Sequence, residues 1–143
     1  MKVEISDYTD EGQDIQVTIH DYDVWSMDST LAHIIVPMLK KLKEISHGHP
    51  SELTEESWDE MLDEMIWAFE QKLVDSWEDQ YIIQQGEIDW DHCTKGEIVD
   101  GMKVHPVVWK KEHIVDWDAR NLHQARMSKG FKLFGEWYES LWD

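Results

Sequence analysis

Apolar positions along the chain switch between two periods, and the switches divide it into elements. Between Lys2 and His20, Val3, Ile5, Ile15, Val17 and Ile19 alternate with polar residues, and Asp10-Glu11-Gly12 interrupts them. A period of two around a turn predicts a β-hairpin with one buried face. From about Asp28 to Ser46 the period becomes helical, with Leu31, Ile34, Ile35, Met38, Leu39, Leu42 and Ile45 recurring at three-and-four spacing. Ser26 or Asp28 is placed to cap the first turn. Pro37 lies inside this stripe. Proline removes one backbone hydrogen bond and crowds the preceding turn, so a kink near His33 and Ile34 is expected within a single helix.

His47-Gly48-His49-Pro50 breaks the chain, and Thr54 followed by Glu55 and Glu56 supplies a cap and favourable charge for a second helix. Its predicted inner face is Trp58, Met61, Leu62, Met65, Ile66, Phe69 and Leu73. Glu64 lies at the edge of that face, where a carboxylate can turn toward a shared site. Between Tyr81 and Val115 the periodicity weakens. The β-favouring pieces Tyr81-Ile82-Ile83, Val104 to Trp109 and Ile114-Val115 predict a loop-rich middle with one or two short strands. A last helix is expected from Asp116 or Asp118 to about Leu141, with Leu122, Ala125, Phe131, Phe134, Tyr138 and Leu141 inward. Gly130 and Gly135 weaken it unless they permit close helix contact. The pattern reads as an α+β fold, an N-terminal β-hairpin packed on about three long helices, in a single domain over residues 1–143.

Composition changes this picture mainly through charge. Thirty-one acidic residues against thirteen Lys and Arg give a formal charge of -18. Such a field repels phosphate and attracts basic protein surfaces, so direct contact with nucleic acid or an anionic membrane is disfavoured. Nine Trp concentrate apolar area in bulky side chains, and their surplus is expected to favour a homo-oligomer. One cysteine, Cys93, excludes an internal disulfide framework and suits a reducing compartment. The chain shows no apolar run of membrane-spanning length and no signal-peptide pattern, so a cytoplasmic protein is expected.

Catalytic motifs are missing from the sequence. It contains no Gly-x-Ser-x-Gly, no phosphate-loop pattern and no Gly-x-Gly-x-x-Gly, and Cys93 sits beside Asp91 in an acidic background that disfavours a thiolate. His20-x-x-Asp23, His47-x-His49 and Asp91-His92-Cys93 offer ligand types without zinc-signature spacing. No catalytic residue, metal or cofactor is therefore assigned. Scarce basic residues do gather on the last helix, where Arg120, His123, Arg126 and Lys129 form a slanted band. Facing acids would make it a salt-bridge network. Flanked by Trp25, Trp67 or Tyr138, it would offer stacking faces beside guanidinium donors, which suits a nucleotide-like ligand. The candidate ligand-binding set is Trp25, Asp28, Glu64, Trp67, His123, Arg126, Lys129 and Tyr138.

Three stretches carry a family resemblance: His20 to Asp28 (HDYDVWSMD), Trp58 to Glu70 (WDEMLDEMIWAFE) and the tail Arg126 to Asp143 (RMSKGFKLFGEWYESLWD). With the helix Thr30 to His47 between them, they resemble a family of uncharacterised proteins from tailed bacteriophages over about half the chain. The resemblance implies a phage protein in the cytoplasm of the infected host cell, and it implies no particular chemistry. Small phage proteins of this sort often counter host machinery or defence. The expected function is thus binding, with a nucleotide-type signal or a basic host protein as target. One alternative is a metal-assisted phosphodiesterase or other hydrolase using Asp28, Glu64 and His123; another is an acidic mimic of nucleic acid.

Overall fold

The computed structural model describes residues 1–93 and 96–142, with Glu97 described by its backbone alone. Asp143, which ends the tail motif, lies outside the described residues. The fold is α+β, and its contacts group into two units: Met1–Asp75 with Met127–Asp143, and Ser76–Arg126.

In the first unit, β1 (Lys2–Ile5) and β2 (Ile15–Thr18) form the expected antiparallel hairpin, with Val3 opposite Val17 and Ile5 opposite Ile15. Thr9 and Gly12 exchange both backbone hydrogen bonds at its tip, where Gly12 takes a left-handed φ of 98°. The buried face expected here is not buried. Val3, Ile5, Ile15, Val17 and Ile19 are 40–59% exposed. Alternation makes one face of a hairpin apolar, but it does not supply anything to cover that face.

A 3₁₀ turn at Asp21–Val24 leads into α1 (Met27–Ile45), a single continuous helix through Pro37. Ser26 occupies the cap position without a side-chain bond to the first turn. The covered line is Ala32, Val36 and Leu39, whereas Leu31, Met38 and Ile45 from the predicted stripe are exposed. The helix is therefore rotated by a fraction of a turn from the sequence reading. α2 (Glu55–Gln71) begins as expected: Thr54 Oγ1 accepts from the Ser57 amide at 3.2 Å, and Ser57 Oγ accepts from the Thr54 amide at 2.9 Å. Trp58, Leu62, Met65 and Ile66 join Leu39 in the core, and Leu73 falls beyond the helix end.

α3 (Trp117–Glu136) starts where Asp116 Oδ1 accepts from the Ala119 amide at 3.0 Å, and it ends before a 3₁₀ turn at Tyr138–Ser140. Within the first unit, its second half packs on α2. Phe69 meets Phe131 and Phe134 edge-on at 5.1 and 4.9 Å, and Trp58 meets Trp137 at 5.9 Å. The predicted inward line is partly wrong, because Leu122, Ala125 and Tyr138 are exposed. Met127 and Gly130 are the buried positions instead. Gly130 is buried because a Cβ there would lie 2.4 Å from Ala68 Cβ and 2.6 Å from the Glu64 carbonyl oxygen. The close helix contact allowed for by the sequence therefore exists.

The second unit carries short strands in a loop-rich segment, arranged as nested antiparallel pairs. β3 (Ile82–Gln84) pairs with β8 (Ile114–Val115), and β4 (Glu87–Ile88) pairs with β7 (Trp109–Lys111). Inside them, β5 (Glu97–Val99) and β6 (Met102–Val104) turn through Asp100-Gly101, both at positive φ.

Candidate functional site

The eight sequence-derived site residues do not form one cluster within either unit. In the first unit, Asp28 is bonded to Lys72 at 2.7 Å, and that ammonium, helped by the Ser29 amide, holds its carboxyl below the usual carboxylate range. Trp25, Lys129 and Tyr138 are exposed, whereas Glu64 and Trp67 are half-buried on α2. His123 and Arg126 belong to the second unit. Among the described residues no three His, Cys, Asp or Glu side chains gather as a metal set; the Asp91-His92-Cys93 stretch instead turns back so that His92 Nδ1 lies 2.8 Å from Asp89.

In the second unit, His123 sits in an aromatic cluster that sequence reading anticipated only in part. Its ring stacks on Trp77 at 4.6 Å and its Nδ1 lies 2.7 Å from the Tyr81 hydroxyl. The Arg120 guanidinium is 5.6 Å from the ring centres of both Trp77 and Trp117 and pairs with Glu78. The stacking faces and the guanidinium at this end of the basic band are thus engaged with one another inside the protein. Burial pushes the His123 imidazole below its ordinary range, and the charge of Arg126 pushes it further. A histidine with a lowered folded value is protonated first in the unfolded chain. Stability should therefore be flat above the ordinary value of 6.5, fall as pH drops from there through the folded value, and level off below it. Urea midpoints measured at stepped pH should show this fall in the parent and lose it in His123→Gln; equal slopes in the two proteins would contradict the assignment.

Two surface features of the first unit lie elsewhere. One is the apolar hairpin face of Val3, Ile5, Ile15 and Val17. The same stretch of chain, residues 1–25, carries Glu4, Asp7, Asp10, Glu11, Asp14, Asp21 and Asp23, against the single side-chain cation Lys2. The other is a pair of hollows at the α1–α2 loop. The larger, about 310 Å³, is lined by Gly48 to Ser51, Trp58, Ser140 and Trp142. The smaller, about 200 Å³, shares Gly48, His49 and Trp58 with it and adds Lys43, His47, Glu55 and Asp59.

No family model, curated protein or solved structure matches the chain.

Its function must therefore be argued from these surfaces. Sequence reading treated His47 to Pro50 as a connection and Trp58 as core, because no local pattern places Trp142 beside a loop some ninety residues earlier. Exposed area is the more general signal. Two compact bodies of the two units' sizes would together expose roughly 9,200 Å², whereas the chain exposes 11214 Å². Among the described residues no helix is long and apolar enough to cross a membrane.

Proposed function

We propose that the chain is a bacteriophage accessory protein that acts by binding, in the cytoplasm of an infected host cell, and that its target is a basic host protein which it blocks. The observation that carries this reading is the hairpin: an apolar face left open to solvent on a segment, residues 1–25, that carries seven carboxylates against one lysine. Exposed apolar patches rimmed by charge are interaction surfaces, and the sign of the rim selects the partner. The formal charge of -18 disfavours a second copy, since like fields repel as two molecules approach. Sequestration of a nucleotide-type signal draws less support, because the Trp77 ring and Arg120 are already engaged with His123 and Glu78.

The test is affinity capture from host extract by the parent, by Val17→Asp and by Leu122→Asp, which adds the same charge at an exposed position of the other unit. The parent should retain a basic protein whose binding weakens steeply as salt is raised. Val17→Asp should lower that affinity by roughly tenfold to a hundredfold, about 1.4 to 2.7 kcal/mol, while Leu122→Asp should not. Equal loss in both variants, or none in either, removes the hairpin from the function. A salt-insensitive or acidic partner would remove the charge argument.

A further inference from the structure

The two hollows beside the α1–α2 loop share Gly48, His49 and Trp58, so they are two compartments of one site. Their linings differ in chemistry. The larger is walled by Pro50 and the indoles of Trp58 and Trp142, the latter 74% exposed, and offers aromatic surface to an aliphatic or planar group. The smaller is polar and acidic, and its only ammonium is already engaged, because Lys43 Nζ is bonded to Asp63 Oδ1 at 2.6 Å.

Glu55 and Asp59 remain. They lie one turn apart on α2, where like charges oppose each other by a few tenths of a kcal/mol. Among the described residues neither has an ion pair or a hydrogen bond from a cation. The same compartment receives Ser46 and His47 at the carboxyl end of α1, whose last carbonyls present partial negative charge. An apolar aromatic entrance continuous with an anionic end, in which Glu55 meets only the partial positive charge of the α2 amino end and Asp59 lies a turn further on, suits a side chain built the opposite way, apolar along its stem and cationic at its head.

We infer that this site takes an arginine side chain from a basic protein partner, with its stem against Trp58 and Trp142 and its guanidinium between Glu55 and Asp59. The inference rests on the basic-partner reading above and specifies what the partner presents. Arginine fits better than lysine, because a planar guanidinium stacks on indole and its fork can serve two carboxylates at once.

The probe is a blocked Gly-Arg-Gly tripeptide, with its lysine and citrulline analogues as the other arms, titrated into the whole ¹⁵N-labelled chain. The arginine peptide should produce saturable shifts at the indole N–H signals of Trp58 and Trp142 and at backbone amides from 47 to 59. Lysine should bind several-fold more weakly, and citrulline, which keeps the shape without the charge, should produce no saturable shift. The double variant Glu55→Gln with Asp59→Asn should lose roughly tenfold in affinity or more, about 1.4 kcal/mol, while lowering the thermal midpoint only slightly, since both carboxylates are exposed and only Glu55 sits in the first turn of α2. Trp142→Ala should weaken binding similarly. Citrulline shifting the same signals, or arginine shifts confined to other residues, would overturn the socket. Because the hairpin capture experiment does not involve this loop, its success alongside peptide failure would sink this inference alone; peptide binding alongside capture failure would sink the hairpin reading alone.

Discussion

Gly130→Ala is expected to destabilise the first unit by about 1 to 2 kcal/mol, although it replaces the poorest ordinary helix former with the best one. The helix preference alone would favour alanine by about 1 kcal/mol. Against this, the added methyl would meet Ala68 Cβ at 2.4 Å and the Glu64 carbonyl oxygen at 2.6 Å. Both are atoms of α2 that cannot swing aside as the end of a long side chain can. Overpacking of this kind costs about 1 to 3 kcal/mol and occasionally more, and here it requires α3 to move away from α2. The same step would loosen the contacts of Phe69 with Phe131 and Phe134. Gly135→Ala is the matched control on the same helix, because a Cβ there meets nothing within 4 Å, and it should be neutral or slightly stabilising. Denaturant midpoints of the two variants should therefore move in opposite directions. If Gly130→Ala is as stable as Gly135→Ala, the close approach of α2 and α3 is wrong.

The second large effect is expected from Leu62→Ala. Leu62 is 0% exposed and sits among Leu39, Trp58, Met65 and Ile66. Truncating a leucine in such a place costs about 2 to 5 kcal/mol, the spread reflecting how far the cavity can collapse. A domain holds only about 5 to 15 kcal/mol in total, and the fully covered core here is small, so the loss should cut deeply into the thermal midpoint. Leu122→Ala is the informative comparison. The helical pattern counts Leu122 among the inward residues of the last helix, yet it is 73% exposed, and its truncation should change stability by less than about 0.5 kcal/mol. Similar losses from the two truncations would favour the sequence phasing of α3 over the one observed.

The arginine socket and the hairpin face make related claims about one partner. Both ask for a basic protein, and they place its contacts on separate elements of the first unit, so a partner using both would gain from simultaneous engagement. Neither surface uses the residues that the sequence put forward as a ligand site. Asp28 is held by Lys72, and His123 is held among Trp77 and Tyr81, so each has a structural role that accounts for its position.

The elements themselves could be read from the residues. The two-residue alternation around Asp10-Glu11-Gly12 marked the hairpin, Thr54 marked the start of α2, and Asp116 marked the start of α3, because hairpin turns and helix caps are made by neighbours within a few residues of one another. The acidic character and the α+β class followed in the same way. The sequence did not show which apolar faces would be covered. A stripe on a helix is broad enough to rotate by a fraction of a turn without breaking its pattern, so Val36 was buried in place of Met38, and Met127 in place of Leu122. Nor could alternation reveal that the hairpin face stays open, since covering it depends on a second surface far away in the chain or on another molecule. The nested strand pairs of the middle join residues up to about thirty positions apart, and the hollow joins the α1–α2 loop to Trp142. Local chemistry determined where each element starts and stops; packing between distant segments alone decided what is core, what is surface, and where a partner could enter.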